Sequence, residues 1–253
     1  MTALAVHNLH KRFGGIEAVA DVSFTLAPGE LLALIGPNGA GKSTCFNMLN
    51  GQLRPDAGRV LLAGPDGTMD DITGLPPPAI WRLGVGRTFQ IAASFASMTV
   101  RENVQMALLS HHRRIWRVWH AASRHAPHAA NALLARVGMA AQADRPAGEL
   151  AYGDLKRLEL AVALANTPRL LLMDEPTAGM APAERAALMA LARTIARTDG
   201  MAVLFTEHDM DTVFTTADRI LVLNRGTLIA EGTPTEIRAN PEVRAVYLGE
   251  NQA

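Results

Sequence analysis

The sequence predicts an α/β protein whose core of alternating strands and helices is interrupted by a block of helices. Three observations carry that reading. Short apolar runs of strand length (LLALI, RLLLM, MAVLF and RILVL) punctuate the chain, as buried strands do. A glycine-rich loop, GPNGAGKST, follows the first of them directly and leads into a helical stretch. From about 100 to 165 the chain reads as helices with no confident strand, whereas strands occur on both sides of it.

Near the N-terminus, LAVHNL, VSFTL and ELLALI read as strands. The helix after the glycine-rich loop ends plausibly at Gly51, GRVLLAG gives a further strand, and residues 66–78, rich in Asp, Gly and Pro, read as a loop. Thr99 and Glu102 have the spacing of a capping box, so a helix should start at Val100. Another helix should open at the corner LAYGD (150–154). Alternation then resumes, with a strand at 169–173, a helix at 182–198, a strand at 201–206 and a helix at 209–216. RILVLN and TLIAEG flank a turn at Asn224, Arg225 and Gly226 and should form a hairpin. Thr233 and Glu236 form a second capping box with Pro234 at the first helical position, and Asn240-Pro241 opens a last short helix.

Composition narrows the function classes. The chain has 253 residues, long enough for one large domain or two small ones, and 49% of them are hydrophobic, enough for a real core. Its 24 basic and 24 acidic residues cancel, so its global field is not built to coat nucleic acid. One cysteine, Cys45, excludes an internal disulfide and fits a reducing compartment. No N-terminal stretch has the pattern of a signal peptide. The apolar runs fall well short of the ~20 residues of a membrane helix, so a membrane role is expected to come through a partner.

Two elements point to nucleotide chemistry. Gly36, Pro37, Asn38, Gly39, Ala40, Gly41, Lys42 and Ser43 satisfy G-x-x-x-x-G-K-[ST] between a strand and a helix. The glycines let successive backbone N–H groups turn inward on an anion, and the helix N-terminus adds its positive end. Lys42 supplies a charge for the β- and γ-phosphates, the Ser43 hydroxyl can ligate Mg²⁺, and Thr44 completes the loop. Far along the chain, the run RLLLM ends in Asp174-Glu175. There one carboxylate can hold hydrated Mg²⁺ and the next can orient water for attack on a γ-phosphate.

The order of the remaining motifs resembles the ATP-binding cassette (ABC) ATPases over essentially the whole chain. Asp174 follows Lys42 by 132 positions, Gln90 ends the stretch GVGRTFQ, LAYGD occupies 150–154, and His208 follows Glu175 by 33 positions. The phrases KRFGG, GVGRTFQ, MTVRENV, LAYG, DEPTAGM and VYLGE look like one branch, the ATP-binding subunits of branched-chain amino-acid importers, whose near relatives serve urea and short amides.

That resemblance implies a P-loop, RecA-like α/β core (1–90 and 166–232) with an antiparallel β subdomain. It also implies a helical subdomain at 91–165 and a C-terminal helical tail at 233–253. It implies that ATP and Mg²⁺ bind, with Ser43, Gln90 and Asp174 at the metal, Glu175 and His208 acting in hydrolysis beside Lys42, and Phe13 stacking on adenine. In the family the corner before the signature helix reaches ATP held by the opposite subunit, which gives that role to Ala151, Tyr152, Gly153 and Asp154. The implied partners are a second ATPase subunit, transmembrane permeases and, indirectly, a periplasmic solute-binding protein, with no nucleic acid. The implied place is the cytoplasmic face of the inner membrane.

This chain departs from the common LSGGQ form. Ala151 replaces Ser, Tyr152 replaces the first Gly and Asp154 replaces Gln, leaving the Gly153 backbone as the principal donor. Ala181 stands where the wider family often has Asp. The segment 111–128, HHRRIWRVWHAASRHAPH, carries five of the eight histidines. It reads as a solvated helix with Ile115, Val118 and Trp119 inward, as a surface near lipid headgroups or the permease, or as a metal cluster. A non-transport cassette would need a long coiled coil or a second cassette, and neither is present. A lipopolysaccharide-export ATPase fits the fold but fits LAYG less well.

Overall fold

The computed structural model describes residues 1–88, 95–111 and 127–249. Its centre is a six-stranded sheet, built from β3 (Leu31–Ile35), β6 (Val85–Thr88), β7 (Leu170–Asp174), β8 (Ala202–Thr206), β9 (Arg219–Asn224) and β10 (Thr227–Gly232). The order is β10-β9-β3-β8-β7-β6. All neighbours pair in parallel except β10, which returns antiparallel to β9. The two residues between those strands, Arg225 and Gly226, both have positive φ (47° and 84°), the left-handed pair that matches a tight hairpin to strand twist.

Alternation along each central strand sorts its side chains onto two faces. Leu31, Ala33 and Ile35 of β3, Leu171 and Met173 of β7, and Val203 and Phe205 of β8 join one core, which also takes the buried stripes of the large helices. These helices are α3 (Val100–His111), α4 (Pro127–Arg136), α5 (Tyr152–Ala163), α6 (Pro182–Asp199), α7 (Met210–Thr216), α8 (Pro234–Ala239) and α9 (Pro241–Gly249). Leu32, Leu34, Leu170, Leu172, Ala202 and Leu204 face the other way. There they meet α1 (Lys42–Leu49) and a four-stranded antiparallel sheet of order β2-β1-β4-β5. Its strands are β1 (Leu4–Phe13), β2 (Ile16–Leu26), β4 (Ala57–Ala63) and β5 (Met69–Asp71). Strands covered on both faces must be apolar throughout, which is why they read as unbroken apolar runs.

Both capping boxes are present. The Thr99 N–H donates to Glu102 at 2.8 Å while the Glu102 N–H donates to the Thr99 hydroxyl at 3.2 Å. At α8 the Thr233 N–H donates to Glu236 at 2.7 Å. Three elements go beyond the sequence reading. The hairpin β1–β2 runs on through Phe13 and Ile16, the stretch read as a loop at 66–78 contains β5 and the start of α2 (Pro77–Arg82), and β6 adds a strand before the helical block. Most of the basic segment 111–128 lies outside the described residues. So does Gln90. Among the described residues no helix is long and apolar enough to cross a membrane.

Two buried groups are stability features. Burial pushes the Cys45 thiol up to about 12, which leaves it a packed side chain rather than a nucleophile. On α5, Lys156 pairs with Glu159 at 3.1 Å with side chains only 3% and 8% exposed. Burial raises the Glu159 pKa, and Lys156 opposes that shift. Lys156→Met should therefore cost about 3 kcal/mol at pH 7, the scale of stranding a buried charge. Without its partner, Glu159 would have a folded pKa raised above its unfolded value. The deficit relative to wild type should thus be absent at acid pH, where Glu159 is protonated in both folded proteins, open only above the already raised wild-type pKa, and level off once Glu159 of the variant ionises. Urea melts of both proteins between pH 4.5 and 7.5 check this, and a pH-independent deficit would attribute the loss to packing alone.

Candidate functional site

Parallel strands put all their C-terminal ends on one edge, and open α/β sheets bind ligands there. The loop 36–41 leaves the end of β3 and turns into α1. A Cβ on Gly36 would lie 2.1 Å from the Leu223 carbonyl oxygen, and one on Gly41 would lie 2.3 Å from that of Ala18. Their φ values are 154° and 105°, so no other residue fits either place. Gly41 is the N-cap of α1 and offers no side-chain cap. The first-turn N–H groups of that helix therefore remain donors for an anion. Lys42 is buried, and its ammonium donates to the carbonyls of Gly36 at 2.6 Å and Pro37 at 3.0 Å. Ser43 is exposed at the same helix start. Asn38 and Gly39 are exposed, whereas Ala40 is buried and accepts from the Gly226 N–H at 2.9 Å.

Two strands away, β7 ends in Asp174 and is followed by Glu175. The Thr206 hydroxyl, at the end of β8, donates to Asp174 Oδ1 at 2.8 Å. The Glu175 N–H donates to the same threonine, to its carbonyl at 3.2 Å and its hydroxyl oxygen at 3.0 Å. Glu175 itself has φ 49°, an uncommon conformation for a side-chain-bearing residue. Its carboxylate lies 2.7 Å from His208 Nε2. The structure thus brings Asp174, Glu175 and His208 together on the edge that carries the phosphate loop.

Residues the motif reading passed over build this cluster. Glu207 is buried and accepts from the Thr177 N–H at 2.8 Å and hydroxyl at 2.6 Å, clasping the loop after Glu175 to the end of β8. Arg87 on β6 donates to Asp174 Oδ2 at 3.2 Å. Both side chains are 15% exposed. The polar run Thr-Glu-His after an apolar strand was a readable signal for Thr206 and Glu207. Arg87 had none beyond its place in GVGRTFQ.

The LAYGD corner lies at the start of α5, capped by Ala151 without a side-chain hydrogen bond, so its first-turn donors are also open. Tyr152 is 46% exposed. Lys156 sits 5.5 Å from the Tyr152 ring centroid, and a Cβ on Gly179 would lie 3.6 Å from that ring. Asp154 accepts from Gln142 at 3.0 Å. Gly153 is buried, and a Cβ there would lie 3.2 Å from Glu184 of α6. Phe13 stands 49% exposed at the tip of the β1–β2 hairpin, with Lys11 at 5.6 Å from its ring centroid. It is no core aromatic. Strand β2 brings Ala18 and Val19 against Gly41, which places that hairpin beside the phosphate loop.

Lys42→Ala should weaken ATP binding by roughly 10- to 150-fold, the worth of a charged hydrogen bond of about 1.5–3 kcal/mol. Titration calorimetry checks this, and unchanged affinity would overturn the phosphate-loop reading.

The chain matches the ABC transporter family over residues 19–178 and the branched-chain amino acid ATP-binding cassette transporter family over residues 227–253. It is 41% identical to the high-affinity branched-chain amino acid transport ATP-binding protein LivG of Escherichia coli (strain K12), across 98% of each chain. BraF of Pseudomonas aeruginosa, of the same description, is 40% identical across 98% of each chain. The lipopolysaccharide export system ATP-binding protein LptB of Escherichia coli (strain K12) is 35% identical across 99% of each. The fold is similar to the crystal structure of the ADP conformation of MJ1267, an ATP-binding cassette of an ABC transporter. The TM-score is 0.86 at 31% identity, covering 98% of this chain and 99% of that one.

Proposed function

The chain belongs to the ABC transporter family, and from that premise we propose that it is the ATP-hydrolysing subunit of an importer for branched-chain or other amino acids. The observation that carries the hydrolytic part is the Glu175–His208 pair, 2.7 Å apart, beside Asp174 on the phosphate-loop edge. A nucleotide-holding module would need the loop but not a positioned base. Full-length similarity to LivG and BraF supports the amino-acid assignment over lipopolysaccharide export, where the identity is lower.

In this reading the nest of N–H groups at 36–44 and Lys42 take the phosphates, and Phe13 lies under the adenine. Glu175 accepts the proton of the attacking water, and His208 steadies the water and the γ-phosphate. Ser43 and Asp174 are oxygen donors on one sheet edge, a set that suits Mg²⁺. Among the described residues no three His, Cys, Asp or Glu side chains gather into a metal site, so these donors would hold the cation together with phosphate and water. When bound, Mg²⁺ would supply charge stabilisation for the phosphoryl transfer.

The open start of α5 supports a second subunit closing on the nucleotide, its donors facing the γ-phosphate held by the first. Gln90, outside the described residues, is expected to link the site to the permease. We place the helical block at 91–165 as the part that moves with the permease, and the complex at the cytoplasmic face of the membrane. Reconstitution tests this. Vesicles holding the chain with its co-purified permeases should show ATP-driven uptake of radiolabelled leucine in the presence of binding protein. Phosphate release that no amino acid stimulates would contradict the solute class.

A further inference from the structure

Asp174 is held from both sides. Thr206 donates to Oδ1 at 2.8 Å and Arg87 Nη2 donates to Oδ2 at 3.2 Å. Each carboxylate oxygen has two lone-pair sites, so both still accept a further bond while the plane of the group is fixed. The other arm of the same guanidinium reaches α1 and the turn after it, donating from Nη1 to Asn47 Oδ1 at 3.1 Å and Gln52 Oε1 at 2.9 Å. Helix α1 is the one that opens with Lys42 and Ser43. One rigid planar group therefore spans from the carboxylate at the end of β7 to the helix that carries the hydroxyl. A planar, permanently charged fork suits such a bracket, and a flexible ammonium would not fix two directions at once.

We propose that Arg87 is a positioning residue for the metal-bound nucleotide: by bracketing Asp174 against α1, it sets the spacing between the Asp174 carboxylate and the Ser43 hydroxyl that the cation needs. In this proposal Arg87 acts through Asp174 and α1 rather than on the nucleotide or the metal. The inference rests on the reading of Ser43 and Asp174 given above, and it assigns to β6 a role that the phosphate-loop motif does not contain.

The probe is Mn²⁺ with a non-hydrolysable ATP analogue, read by electron paramagnetic resonance, alongside metal-free analogue binding in chelator. Arg87→Met should leave metal-free binding within about twofold and weaken Mn²⁺ binding to the protein–analogue complex about tenfold, the scale of one charged hydrogen bond. Arg87→Lys should recover part of that loss. The double change Asn47→Ala/Gln52→Ala keeps the Arg87–Asp174 pair and cuts only the tether to α1. It should weaken Mn²⁺ binding about threefold without touching metal-free binding, and it serves if Arg87→Met folds poorly. Asp174→Asn is the reference arm. If Asp174→Asn loses Mn²⁺ binding while Arg87→Met and the double variant match wild type, the inference falls and the site reading stands. If Asp174→Asn binds Mn²⁺ normally, the site reading falls and takes the inference with it. Equal losses with and without metal would make Arg87 a structural residue only.

Discussion

Glu175→Gln should bind ATP as wild type does and turn it over about 10²–10⁴-fold more slowly. The backbone of Glu175 is pinned to Thr206 by two acceptors of one N–H, at 3.2 and 3.0 Å, and the loop beyond it is clasped through Thr177 to Glu207. A glutamine of the same shape should keep that geometry and a hydrogen bond to His208. What it lacks is a basic oxygen able to take the proton of the attacking water. The phosphate loop, a separate element on β3, is untouched. Phosphate release and binding of a fluorescent ATP analogue together check this. Near-normal turnover in a contaminant-free preparation would move the base to another residue.

Gly153→Asp should leave ATP binding by the single subunit intact and abolish ATP-driven association. Ala151 provides no side-chain cap to α5, so recognition across an interface must use backbone donors, with the Gly153 N–H among them. A carboxylate at that point brings bulk and like charge against a triphosphate in a site that closure dries. The structure adds a complication within the chain, because the new side chain would also meet Glu184, whose carboxylate lies 3.2 Å from the Cβ position. Adding Glu184→Gln removes that repulsion and leaves the one across the interface. Mixed with Glu175→Gln subunits, the double variant should still fail to associate in light scattering. Undiminished association would reduce LAYGD to an ordinary helix start.

Much of this was legible because it is local. The strands β3, β7, β8 and β9 are covered on both faces, so burial wrote them as apolar runs, and both capping boxes are fixed by residues three positions apart. The phosphate loop was legible as one continuous motif, although its glycines answer to the distant carbonyls of Leu223 and Ala18. What escaped is held by partners distant in sequence. Strand β5 is exposed along its length and exists through its pairing with β4, so no apolar pattern marks it. The ends of β1 and β2 meet at Phe13 and Ile16, both exposed, and read as loop for the same reason. Arg87 finds Asp174 across 87 positions, and Thr177 finds Glu207 across 30. Only the parallel sheet brings these pairs to one edge, and no spacing rule predicts them. Tyr152 and Ala181 were readable only as departures from a family motif. The packing of Tyr152 on Gly179 was not.

One chain should hold ATP but hydrolyse it only when a second subunit completes the site. The most direct measurement is phosphate release per subunit by the purified wild-type chain across a wide range of protein concentration, with ATP and Mg²⁺ saturating. Specific activity should rise steeply with concentration at the dilute end and level off as subunits pair, if the α5 donors of one copy complete the γ-phosphate site of the other. Substantial specific activity that stays constant down to the lowest concentration, in subunits shown by light scattering to be monomers, would contradict it.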